Sequence, residues 1–144
     1  MNSLIGVLTR FGKEEVAFTW EIEQMFHSFY VNPEHRDYLR FVWFENNDLR
    51  FSIVEFCMNV HLFGAVSSSA VANFCLHETG EAGRREFGDE ATGFLRQKCY
   101  VDDGLKSVPS VPEAVKVIEN TQSTCAAAKL SLHKFGSPSF RRPR

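Results

Sequence analysis

Two hairpin signatures limit what this chain can fold into. "YLRFVWF" and "LRFSIVEFCMNV" flank "ENND" at residues 45–48, and "KCYV" and "LKSV" flank Asp102-Asp103-Gly104. Short polar turns between apolar, β-branched arms join neighbouring strands antiparallel. An all-parallel sheet would need a long crossover at each of these points, so the sheet is expected to be largely antiparallel.

The remaining segments fill in around these hairpins. "VAFTWEI", 16–22, reads as a strand. "EQMFHSFYV" reads as helical or irregular until Asn32-Pro33 breaks it. "HLFGAVSSSAVANFCLHETG" opens as a glycine-containing loop. Its serines cap a helix start, and Gly80 can end that helix. Residues 81–98 are charged and helix-compatible, with Phe87, Phe94 and Leu95 on the buried side. Ser110 and Glu113 form a capping box ahead of a helix with Ala114, Ile118, Thr121 and Cys125 on one face. "LSLHKF" closes the pattern as a strand. The order strand, helix, hairpin, helix, helix, hairpin, helix, strand predicts an α+β fold, an antiparallel sheet with helices packed on one face.

Composition narrows the class. The 144 residues suit one domain and carry fourteen phenylalanines, so the core should be rich in aromatics. A net charge of −2 gives no electrostatic prediction of a nucleic-acid partner, since such partners usually call for a basic surface. Cys57, Cys75, Cys99 and Cys125 form no CxxC pair and fit free thiols in a reducing compartment better than disulfides. Cys57 with His61, or Cys75 with His77, has the spacing of no closed zinc site. No apolar run approaches a membrane span and the N-terminus has no signal pattern, so an intracellular, cytoplasmic chain without membrane contact is expected.

Several residues invite chemistry without support. His27, His61 and His77 have no acid or nucleophile at a telling spacing. Ser67-Ser68-Ser69 lacks the glycine frame of a nucleophile elbow, and Arg84-Arg85 reads as a solvated helix face. The carboxylates are different. Glu21 ends the first strand and Asp102-Asp103 occupies a later hairpin turn, an economical way to gather hard oxygen ligands for divalent metal ions. Locally, though, Asp-Asp-Gly is also an ordinary turn, and a glutamate at a strand end is commonplace.

Taken with their neighbours, these residues form a pattern. "CYVDDGLKSVPSVPEAVKVIENTQ" contains the Tyr-Val-Asp-Asp turn typical of reverse transcriptases, and "NPEHRDYLRF", "HLFGAVSS" and "LHKF" accompany it in order. The chain resembles the reverse transcriptase palm of a BEL/Pao-type long-terminal-repeat retrotransposon over residues 16–137. Residues 1–15 would be a truncated lead-in and 138–144 a disordered basic tail. The resemblance implies a palm fold and two-metal nucleotidyl transfer from a deoxynucleoside triphosphate to a primer on an RNA or DNA template. The metal would be Mg²⁺, two ions, with Mn²⁺ as a substitute.

It further implies metal binding by Glu21, Asp102 and Asp103, with Tyr100 and Val101 beside the primer end. Phe26 would lie under the nucleotide sugar, although from pattern alone a place in the core is equally open to it. Phe63 and Gly64 would contact the incoming nucleotide and template, and Lys134 would approach the triphosphate as a catalytic cation. Two positions depart from the family: Glu21 stands where it has aspartate, and Ser69 where it usually has proline. The resemblance covers at most a scrap of the family's fingers and none of its thumb, connection or ribonuclease H, the parts that carry much of the family's basic surface. Such a palm would be partial or decayed. The alternative is a non-catalytic binding or interaction module that retains the palm fold, and solvent-facing Phe41, Trp43, Phe51 and Phe56 would favour it. A nucleotide cyclase would not account for "LHKF" or "HLFGAVSS".

Overall fold

A computed structural model describes residues 3–137; the expected basic tail at 138–144 lies outside them. A short helix α1 (Leu4–Leu8) precedes strand β1 (Val16–Ile22). Two 3-10 segments (Met25–Ser28 and Pro33–Leu39) lead into β2 (Arg40–Phe44) and β3 (Ile53–Cys57). Helices α2 (Ser68–Phe87) and α3 (Asp89–Gln97) follow, then β4 (Cys99–Tyr100), β5 (Asp103–Val108), α4 (Val111–Ala127) and β6 (Leu132–Gly136).

Both hairpins form, but in different sheets. The strand order β4-β5-β1-β6 makes one antiparallel sheet, and β2-β3 stands as a separate antiparallel pair. Period-two alternation along β1 decides which side of the larger sheet is covered. Phe18, Trp20 and Ile22 are buried with residues of α2, α3 and α4 such as Leu76, Phe94, Leu95, Val117 and Cys125. Thr19 and Glu21 project from the opposite face and are only half-buried. Phe94 meets Phe18 and Trp20 edge-on at 5.9 and 5.3 Å, the geometry aromatic quadrupoles favour.

Three expectations change in the tertiary context. Gly80 does not end α2, which runs on to Phe87 and stops at Gly88, where φ is +90°. Gly80 is buried, its missing side chain lets α3 approach, and its carbonyl accepts from Thr92 Oγ1 at 2.7 Å. The serines act differently too: Ser67 precedes α2 without a side-chain cap, and Ser69 lies in the first helical turn rather than in a loop. Phe87, the last residue of α2 before Gly88, is half-exposed rather than buried. Ahead of β1, Val7 in α1 is fully buried. The capping residue holds, with Ser110 Oγ accepting from the Glu113 N–H at 3.4 Å.

Among the described residues, no helix is long and apolar enough to cross a membrane. Among the described residues no cysteine is in a disulfide: Cys99 and Cys125 are buried, Cys75 is half-buried and Cys57 is exposed.

Candidate functional site

The carboxylates meet because of register. Glu21 pairs with Asp103 across β1 and β5, and with His133 across β1 and β6, so the middle strand presents Glu21 between two neighbours on the face away from the helices. Asp103 belongs to β5; the tight turn itself is Val101-Asp102, closed by the Tyr100–Asp103 pair. Val101 has φ +57°, a conformation β-branched residues rarely adopt, and strain of this kind collects at functional sites. The turn is held down: the Asp102 carbonyl accepts from the Ile22 N–H at 2.9 Å, and Val101 packs against the core.

Gly104 is not a turn residue. A Cβ at this position would lie 2.2 Å from Trp20 Cε2 and 2.3 Å from Cζ2. The glycine of Asp-Asp-Gly is therefore the notch into which the Trp20 ring fits, and this packing fixes the height of the aspartates above the core.

Strand β6 brings the basic partners. Thr19 pairs with Gly136 and Glu21 with His133, so two steps along β1 face three along β6, which is a β-bulge. Lys134, at φ +52°, lies in it. In a regular strand His133 and Lys134 would point to opposite faces. Here both reach Glu21, Lys134 Nζ at 2.7 Å from Oε2 and His133 Nε2 at 3.6 Å from Oε1. His133 Nε2 is buried and makes no hydrogen bond. Sequence reasoning passed over His133, because the bulge that gives it a place beside Glu21 leaves no mark in "LHKF".

The electrostatics follow from this arrangement. The hydrogen bond from Lys134 holds the Glu21 carboxyl below its ordinary value, and the same bond raises the Lys134 ammonium. Asp103 is pushed up, first by burial and then by the charges of Asp102 and Glu21, while Lys134 pulls it partly back. The acids are thus close enough to repel one another.

The donor chemistry is the hard-oxygen kind that magnesium takes. The geometry does not fit a metal ion as it stands: Glu21 is turned to Lys134 and His133. Among the described residues, no three His, Cys, Asp or Glu side chains converge on a point where a metal could be held.

The other expected residues are placed as follows. Tyr100 flanks the turn, half-buried. Phe26 is in the core, 7% exposed, with its ring 5.8 Å from that of the exposed Phe63 in an edge contact. Gly64, at φ +86°, follows in the same loop with open space around it. That loop also borders a cleft of about 470 Å³ lined by Val31, His35, Tyr38, His61, Ser68 and Val71, among others.

Phe41, Trp43, Phe51 and Phe56 are 39–48% exposed on the β2–β3 hairpin, and Phe41 and Phe56 stack at 5.6 Å. The hairpin arginines are ion-paired, Arg40 with Asp37 and Glu55, and Arg50 with Asp48.

No protein-family model matches the sequence, and no curated protein does. The fold does have a counterpart. A foamy viral protease-reverse transcriptase, solved in complex with an RNA/DNA hybrid, superposes with a TM-score of 0.65 at 16% identity. The match covers 91% of this chain and 16% of that one. The fold is therefore reverse transcriptase-like, and this chain corresponds to a small part of such a protein.

Proposed function

We propose that this chain is the palm of a BEL/Pao-type retrotransposon reverse transcriptase, in a partial or decayed form. The observation that carries the reading is the Glu21–Asp103 register, which sets the first-strand carboxylate beside the Asp-Asp turn on the uncovered sheet face. A palm of this kind serves nucleotidyl transfer to a primer 3′-hydroxyl. In this chain the turn would present Tyr100 and Val101 to the primer end. The Phe26–Phe63 contact and Gly64 would form the wall against the incoming nucleotide, with Phe26 serving from its place in the core. The carboxylates do not form a metal site as arranged, so this reading assigns the chain template-primer and nucleotide contacts and no catalytic step.

The second reading, a non-catalytic interaction module, is favoured by the solvent-facing aromatics of the β2–β3 hairpin. They lie off the palm sheet, and the pairing of Arg40 and Arg50 with acids suits a protein surface better than phosphate.

One titration separates the two: fluorescence anisotropy of a labelled RNA/DNA hybrid with increasing protein. Under the palm reading the hybrid binds, Tyr100→Ala weakens binding severalfold, and the Trp43→Ala/Phe56→Ala double variant leaves it unchanged. Loss of binding only in the hairpin variant supports the second reading. No binding by the wild type at low salt overturns the first.

A further inference from the structure

The disagreement between the acids and a metal ion has a specific cause. Resting on the palm reading above, we infer that Lys134 is a built-in cation that occupies Glu21 and keeps the carboxylate cluster closed to divalent ions.

Three observations converge on this. Lys134 Nζ lies 2.7 Å from Glu21 Oε2 while His133 Nε2 faces the other oxygen, so both oxygens of the first-strand carboxylate are engaged by residues of β6. The bulge is what delivers the lysine. Without the extra residue between His133 and Gly136, the pleat would point Lys134 away from Glu21. The lysine holds this place at a positive φ, a conformation an L side chain adopts against a steric penalty.

The third observation is the length of the acid. Glutamate carries one more carbon–carbon bond than aspartate, about 1.5 Å. That length lets Glu21 reach Lys134. An aspartate at this position would fall short of the lysine and stay beside Asp103, its cross-strand partner.

The consequence is a competition of like charges. A divalent ion shared by Glu21 and the two aspartates must displace the ammonium from Glu21 and then sit near it. Lys134 already acts electrostatically on Glu21, Asp102 and Asp103. The charged groups that act on Glu21 and Asp103 include one another, Asp102, His133 and Lys134.

The test uses Mn²⁺ alone, followed by loss of its free EPR signal on titration into the whole chain. Lys134→Ala should bind Mn²⁺ about tenfold more tightly than wild type, from removal of an ion pair and of a nearby positive charge. Glu21→Asp should move in the same direction. Both gains should disappear when Asp103→Asn is added. Lys116→Ala, which removes the same charge from the exposed face of α4, should bind like wild type.

Equal, Asp103-dependent binding in wild type and Lys134→Ala overturns the closure and leaves the palm reading standing. An equal gain in Lys116→Ala reduces the effect to net charge and also overturns it. Binding that ignores Asp103→Asn, or no binding in either opened variant, removes the carboxylate site itself and takes the closure with it. Circular dichroism on each variant confirms that the compared proteins are folded.

Discussion

Gly104→Ala gives the sharpest test of how the Asp-Asp turn is seated. The new methyl carbon would stand 2.2, 2.3 and 2.6 Å from three atoms of the Trp20 ring, where ordinary contact begins beyond 3.4 Å. Something must therefore move by about 1 Å. Trp20 has little room, being 1% exposed and held edge-on by Phe94 at 5.3 Å. Overpacking a rigid site costs about 1–3 kcal/mol, and this geometry belongs at the upper end. Restricting the unfolded chain returns about 0.4–1 kcal/mol, leaving a net loss of about 2 kcal/mol. With an unfolding entropy of roughly 2.1 cal/mol/K per residue, the 144-residue chain should lose about 7 °C in Tm.

Thermal unfolding followed by far-ultraviolet circular dichroism measures this directly. The cycle with Trp20→Phe isolates the cause, because Cδ2, Cε2 and Cζ2 all belong to the benzo ring that phenylalanine would vacate. In the Trp20→Phe background, Gly104→Ala should cost at least about 1 kcal/mol less than in wild type. A Tm change under 2 °C in Gly104→Ala, or full additivity in the cycle, would refute the notch.

Three further outcomes are expected. The Asp103 carboxyl is raised above its ordinary 3.8 by burial and by its acidic neighbours, so the folded state holds that proton more tightly than the unfolded state. Its favourable contribution is present below 3.8 and lost as pH rises through the folded value. Asp103→Asn should therefore be more stable than wild type at pH 7, with the advantage vanishing near pH 3, as read from Tm against pH. Burial pushes Cys125 up to about 12 and Cys99 higher still, so a thiol reagent at pH 8 should label Cys57 promptly. Cys99 and Cys125 should react only on unfolding, and a single fast phase for all four would contradict the described core. Of the two tryptophans, Trp20 is enclosed and Trp43 is 48% exposed on the hairpin, so acrylamide should quench about one component of the emission. Trp43→Phe should remove that component and leave a blue-shifted spectrum.

Local features of the sequence were legible because their causes are local. β1 runs over Val16–Ile22 as its β-branched and aromatic residues indicate, and both hairpins pair antiparallel. Asn32 accepts from the Glu34 N–H at the start of the Pro33 segment, and Ser110 caps α4, because a side-chain oxygen two or three residues from an N–H needs no distant partner. The α+β class, an antiparallel sheet with helices packed on one face, follows from the order of the same elements.

What the tertiary structure decided depended on residues far apart in the chain. Gly80 could end a helix by its own preference, yet it lies inside α2 because α3 packs against it. Gly104 has the residue type of a turn, yet it serves the ring of Trp20 on another strand. The sequence placed Glu21 at the end of the first strand and Asp102 in the turn, whereas Asp103 lies in β5. Only the β1–β5 register brought Glu21 beside Asp103, and only a bulge in β6 swung Lys134 onto Glu21. A bulge is a compromise between two strands' hydrogen bonding and twist, so neither strand's sequence contains it alone. By itself, then, the sequence determined which chemical groups this protein carries and on which kinds of element. Whether the three acids stand open to a metal ion or closed by a lysine was decided by strand register, because a shift of one residue reverses which face a side chain occupies.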